Sequence, residues 1–397
     1  MTLAITRRAT LAGLFAPLLT APGMSAAFAA AATSRRFVVI LLRGGLDGLH
    51  AVPPHADPGL AAARSRLAVP PPGAEGGALP LDGHFGLHPA LAGLHGLYGE
   101  RLLTVFHAVG GFSPERSHFI AQDCLECGAG ERLSSGWLNR LAAALPQKPG
   151  GAQTALAVGV SLPLLLRGPA SVGSFLPQGA QRPPADLYAQ VLALHRTDPV
   201  TGPALAAGMA ERDYAAGVIG ADDSKDTATR FSFANLALSA GKLLAAPDGP
   251  RLAALELGGW DTHAAQANRL TQPLKSLDAG ILALRTGLGA AWNQTVVLIA
   301  TEFGRTVREN GTNGTDHGTG MAAFLAGGAV QGGSVLADWP GLGEKDLHEA
   351  RDLRPTTSLR AITRTVLAEH YGLNAATLAD ILPGSERDKL LKALVRA

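Results

Sequence analysis

Runs of Val, Ile, Leu and Ala in this chain repeatedly end on an acid or a histidine. Asp47 follows RFVVILLRGGL, Asp261 and His263 follow LAALELGGW, Glu302 follows TVVLIAT, and Asp316 and His317 close the same loop before AAFLAGG. Apolar runs bounded by glycines read as strands buried on both faces, the kind found in parallel sheets covered by helices. Open α/β sheets place their chemistry at the carboxyl ends of such strands, so these separated segments are expected to converge on one rim. Hard carboxylates together with imidazoles on that rim point to a divalent metal.

A pass along the chain supports the same architecture. Residues 36–42, 102–109, 154–160, 252–257, 295–301 and 322–326 read as strands, and residues 117–127, 135–145, 230–246, 270–291 and 358–369 as helices. Strands alternating with helices argue for a mostly parallel, doubly wound sheet. Residues 53–90 and 161–185 are rich in Pro and Gly and are expected to be surface excursions over that sheet. No internal repeat is visible.

The first 30 residues are set aside as an export signal. Arg7-Arg8 supply a twin-arginine start, Leu11 to Leu19 is mostly apolar, and Ala27-Phe28-Ala29 offers a small-x-small cleavage site. Pro17, Pro22 and Gly23 break the stretch well short of the roughly 20 apolar residues that span a bilayer. Residues 31–397 are then expected to form a single domain with loop-rich insertions, in the periplasm or secreted, without stable membrane insertion. Removing the signal takes away two arginines and no acid, so 34 basic against 32 acidic residues become 32 against 32. Formal neutrality gives no support for binding nucleic acid or an anionic membrane.

The only cysteines, Cys124 and Cys127, lie in HFIAQDCLECG. No second pair completes a structural zinc site, and the setting of a thioredoxin-like redox pair is absent. Two small, partly buried helix residues are expected, with a disulfide after export as the alternative.

Each metal candidate competes with a structural role. Asp47 in RGGLDGLH can be a ligand or a cap for the following segment. Asp261 and His263, two apart, project to the same side of an extended backbone and can share an ion. Trp260 beside them is read as packing. Glu302 opens the polar loop TEFGRTVRENGTNGTDHGTG, where Arg305 can contact an anionic substrate or neutralise Glu302. Asp316 can ligate the metal or orient His317. Ser117 stands at the expected start of a helix, where free amides and the helix dipole suit an oxyanion or phosphate. There it is either a nucleophile activated by the metal or a plain helix cap. Ser113 is the second candidate nucleophile, with Arg116 or His118 assisting binding.

Taken in order, RGGLDGLH, FGLHPAL, RSHF, GGWDTH, TEFGR and GTDHG resemble a bacterial exported family of unknown function grouped with the alkaline phosphatase and sulfatase superfamily. The resemblance spans roughly residues 35–385. It implies an alkaline-phosphatase-like α/β/α sandwich and hydrolysis of phosphate or related anionic esters. By analogy, Asp47, Glu302 and a nucleophile would serve one metal, and Asp261, His263 and His317 a second about 4 Å away. Zinc is the first choice of ion, with manganese, magnesium or calcium as alternatives. Phe112 stands where a formylglycine sulfatase needs Cys or Ser, so that chemistry is not expected. The Asp-His pair common after the corresponding strand in phosphatases is here Glu302-Phe303, which removes one imidazole. Ser358 stands where the family commonly carries an acid. The competing reading is a non-catalytic, metal-containing binding or assembly protein of the cell envelope, with an exported protein as partner.

Overall fold

The computed structural model describes residues 34–146, 153–159, 161–177, 185–199, 201–219, 229, 231–391 and 393–396; the expected signal, residues 1–30, lies outside them. Its strands are β1 (Arg36–Leu42), β2 (Leu79–Pro80), β3 (Gly86–Leu87), β4 (Leu103–Gly110), β5 (Ala155–Val158), β6 (Val172–Phe175), β7 (Leu252–Leu257), β8 (Thr295–Thr301), β9 (Met321–Ala326), β10 (Ser334–Leu336) and β11 (Thr357–Ser358). The large sheet runs β10-β4-β9-β8-β1-β7-β5-β6, with β11 paired to β4. All its neighbours are parallel except β9, which lies antiparallel to both β4 and β8.

Alternation along β1 explains the layering, because successive side chains leave a strand on opposite faces. Phe37, Val39 and Leu41 pack into one core with Trp137, Leu138, Ile362 and Val366. Val38, Ile40 and Leu42 pack into another with Leu94, Leu243, Leu274 and Ile281. Helices Trp137–Ala144 and Leu359–Tyr371 cover the first face; Ala92–Gly99, Phe233–Ala245 and Gln266–Leu288 cover the second. The result is an α/β/α sandwich. In the longest of these helices Leu270, Leu274, Leu277, Ile281, Leu284 and Leu288 form one buried stripe at helical spacing. Each such side chain stabilises the fold by roughly 1.5–3 kcal/mol through burial.

The six expected strands are present, with ends within two residues of the pattern. Within the expected excursion 161–185, however, β6 pairs with β5 as an edge strand. Its sequence VGSF is short and contains a glycine, so periodicity could not mark it. The other excursion, 53–90, is not wholly superficial: Arg64, Leu67, Phe85 and Leu87 are buried.

Register places the functional rim. Leu42 of β1 is level with Leu257 of β7 on one side and Thr301 of β8 on the other, so the three following loops leave the sheet at one height. Gly44 allows them to close on each other. Its φ is +123°, and a Cβ there would lie 2.7 Å from the Asp261 backbone nitrogen. Among the described residues no helix is long and apolar enough to cross a membrane.

Candidate metal centre

Four side chains meet above that rim. Asp261 and His263 come from the loop after β7, His317 from the loop entering β9, and His118 from the first position of the helix His118–Cys127. Nε2 of His263, His317 and His118 lies 3.0, 3.2 and 3.5 Å from one oxygen, Asp261 Oδ1. The ligand atoms of His118, Asp261 and His317 all fall within 4.8 Å of one another. His263 Nε2 joins them at 3.1 Å from His317 Nε2.

The opposite nitrogen of each ring decides what Nε2 can do. Nδ1 of His118 is 2.7 Å from Glu302 Oε1, that of His317 is 2.8 Å from the Arg116 carbonyl, and that of His263 is 3.1 Å from Asp316 Oδ1. Oxygen acceptors hold the proton on Nδ1, which turns the Nε2 lone pairs toward one another and toward a carboxylate oxygen. Lone pairs so close repel unless a cation or protons lie among them. Nε2 of His118 is buried and has no hydrogen-bond partner among the described residues. A cation fits that donor set. Glu302 pushes the His118 pKa up, so a proton and a metal compete for the same Nε2.

Asp261 stays ionised through this crowding. Burial acts to raise its pKa, but the hydrogen bond and charge of Arg305, followed by His263 and His118, hold it at about 2. The carboxylate is 46% exposed, as a ligand open to solvent and substrate requires. Arg305 is itself fully enclosed. Its guanidinium donates to the carbonyls of Gly44, Gly45, Trp260 and Thr315, and to Asp261 Oδ1 at 2.5 Å. Arg305 therefore ties three loops together and orients Asp261. This corrects its expected role as a substrate-contacting group, and its acidic partner is Asp261, not Glu302.

The other expected ligands are committed elsewhere. Asp47 is buried: Oδ2 accepts from Arg64 at 2.6 Å and Gln266 at 2.5 Å, and Oδ1 caps the Leu49 amide at 3.1 Å. These bonds and the Arg64 charge overcome desolvation and keep its pKa low. Asp47 is thus a buried ion-pair partner, a correction to the ligand reading. Glu302 Oε1 accepts from the Gly44 amide, Gln122 and His118, and Oε2 meets the Thr301 hydroxyl. It stands behind His118, not in the cluster, so the division of ligands into two metal sites is not the arrangement seen. Asp316 backs His263, where His317 was expected.

Ser117 is the N-cap residue of its helix, but its side chain makes no capping bond. Ser113 is buried and accepts from the Glu115 amide at 3.2 Å. Cys124 and Cys127 are buried free thiols.

A family model described as "Protein of unknown function (DUF1501)" matches residues 114–382. The chain belongs to this family. The matched span of this DUF1501 member contains all four clustered side chains and Glu302, whereas Asp47 and Arg64 precede it. No curated protein matches the chain. Solved structures similar to it include the C-terminal periplasmic domain of EcEptC from Escherichia coli in complex with Zn, at 10% identity, covering 73% of this chain and 72% of that one with TM-score 0.36. The same domain in another structure gives 10% identity, coverage of 89% and 88%, and TM-score 0.42. Phosphonate monoester hydrolase of Agrobacterium radiobacter gives 11%, coverage of 86% and 74%, and TM-score 0.30. All three scores lie below 0.5.

His118 is the member of the cluster that sequence reasoning did not place among the ligands. Its signal was available: a histidine at the first position of a helix that begins soon after the carboxyl end of β4. Gln122, one turn on, was also missed. It donates to Glu302 at 2.9 Å and accepts from Arg43 at 3.1 Å, fixing the helix against the rim.

Proposed function

We propose that this chain is an exported, metal-dependent hydrolase of phosphate or related anionic esters. The observation that carries the metal is the convergence of three Nε2 atoms on Asp261 Oδ1 with every Nδ1 held by an oxygen. The ester class rests on the family resemblance of the motifs, and export on Arg7-Arg8 and the short apolar stretch after them. His118, His317, Asp261 and His263 would hold a divalent ion, with zinc favoured by the imidazole-rich donors. Bound there, it would act as a Lewis acid toward the ester oxygens and lower the pKa of the attacking group.

The protein supplies the rest. Glu302 and Asp316 keep two imidazoles aimed, and Arg305 keeps Asp261 ionised and pointed inward. Ser117 offers a hydroxyl with no capping bond, next to His118, at a helix start whose free amides favour developing negative charge. It is the proposed nucleophile.

Metal analysis of the purified protein, combined with phosphomonoester, phosphodiester and sulfate ester substrates, tests the reading. The expected result is a bound divalent ion, lost in the double variant Asp261→Asn/His317→Ala, with metal-dependent turnover of a phosphate ester. Retained metal in that variant, or no turnover with any ion, would overturn it. One observation favours a second reading, a non-catalytic assembly protein: Phe119, beside His118, is 86% exposed and Ile120 next to it is also exposed. An exposed apolar pair next in sequence to a cluster member suits a protein partner. Co-purification of an exported protein that is lost in Phe119→Ser, with no ester turned over, would decide for it.

A further inference from the structure

The loop carrying Asp261 faces the start of the helix Gln266–Leu288 across a cleft of about 340 Å³, lined by Gly259, Asp261, Thr262, Arg269 and Pro273. At about 30 Å³ per water it has room for about ten, enough for an organic group. Arg269 and Pro273 are one turn apart and share a helix face.

Arg269, an exposed side chain, differs from four arginines at the rim. Arg305 is held by Asp261 and carbonyls, Arg116 by Glu349 and Asp352, Arg43 by Glu126 and Glu256, and Arg351 by the His317 carbonyl and Asp352. Among the described residues the Arg269 guanidinium has no hydrogen-bond or ion-pair partner; only its backbone amide is engaged, with Ala265. Its position also works against the helix. The first turn holds no acid, and the N-cap residue Ala265 gives no side-chain cap, so a cation there adds to the positive end of the dipole. A charge unfavourable to its own helix that lines a cleft, with no protein acid to compete for it, is available to an anion from outside the protein. Asp261 shares the cleft, with its Oδ1 directed to Arg305 and the imidazoles.

We infer that this cleft is a subsite for a second negative charge on the substrate, bound by Arg269. The substrate class is then an ester whose alcohol part carries a carboxylate or phosphate, with the scissile group at the metal cluster and Asp261 between the two. The scissile assignment rests on the hydrolase reading; the anion contact does not.

The full protein loaded with zinc can be titrated with phenylphosphonate and with 4-carboxyphenylphosphonate, two non-hydrolysed probes that differ by one charge, and assayed separately with the matching phosphate esters. The wild type is expected to bind the carboxylated probe about two- to fivefold more tightly, the range of one ion pair at an exposed side chain. Arg269→Gln should erase that preference while leaving phenylphosphonate affinity and zinc content unchanged, and Arg269→Lys should restore part of it. Preference in binding without turnover of either ester would remove the hydrolase reading and leave the subsite standing. Equal affinity for the two probes in the wild type, absence of binding by either, or a preference that survives Arg269→Gln would overturn the subsite.

Discussion

Replacing Glu302 by Gln separates charge from shape at the metal centre. Glu302 Oε1 takes three donors, Gly44 N at 2.9 Å, His118 Nδ1 at 2.7 Å and Gln122 Nε2 at 2.9 Å, while Oε2 faces the Thr301 hydroxyl at 2.8 Å. Thr301 Oγ1 also lies 2.7 Å from the Leu42 carbonyl and accepts the Leu46 amide. A glutamine with its oxygen in the Oε1 position keeps all three donors. Its amide nitrogen can donate to Thr301 Oγ1, whose single proton turns to Leu42. These four hydrogen bonds survive and the second amide hydrogen is the one buried donor added without a partner, so stability should fall by no more than about 1–3 kcal/mol. What is lost is the negative charge behind His118, and with it the ring's added basicity. Loss of such an outer partner commonly costs about 10–100-fold in metal affinity, or about 1.4–2.7 kcal/mol. Glu302→Ala is the contrast: it orphans the buried Gly44 amide and costs about 1–3 kcal/mol of stability for that group alone. Zinc competition against a chromophoric chelator, alongside urea unfolding, reads both quantities. Metal affinity within twofold of wild type in a normally stable Glu302→Gln protein would refute the account of His118 as a ligand tuned by Glu302.

Three further outcomes follow from the same geometry. Arg64→Met strands the buried Asp47 carboxylate and should cost about 3–5 kcal/mol in urea unfolding, while metal content of the folded protein stays unchanged; lost metal at full stability would return Asp47 to the ligand set. Ser117→Ala removes no capping bond, so Tm should hold while turnover falls by roughly three orders of magnitude or more; unchanged turnover would assign the attack to water. Burial pushes His88, His107 and His370 down to about 4, against about 6.5 in an unfolded chain. Their contribution is then complete above about pH 6.5 and declines as pH falls toward 4, by up to about 1.4 kcal/mol per pH unit for each histidine; a urea midpoint that stays flat from pH 7 to pH 4 would contradict it.

The strand ends were legible because an apolar run bounded by glycine carries its own period, and register then forces level strands to share a rim. What the pattern could not separate were carboxylates with identical local surroundings. Asp47, Asp261 and Glu302 each follow an apolar run, yet only Asp261 is left exposed at the cluster. The choice is made by donors far away in the chain. Arg64 reaches Asp47 from the Pro- and Gly-rich segment, Gln266 reaches it from a helix 219 residues on, and Gln122 and His118 reach Glu302 across about 180 residues. Arg305 was ambiguous for the same reason, since its position in TEFGR says it is near the rim but not that five oxygen acceptors surround it. A buried carboxylate must be neutralised by whichever donors packing brings to it. Asp47 receives a guanidinium and two amides, Glu302 an imidazole, two N–H donors and a hydroxyl, and most of their lone pairs are thereby taken. Asp261 receives one guanidinium, which balances its charge, and three imidazoles whose inner nitrogens carry lone pairs, so what packing leaves unsatisfied at the cluster is those lone pairs, and a metal would take them up.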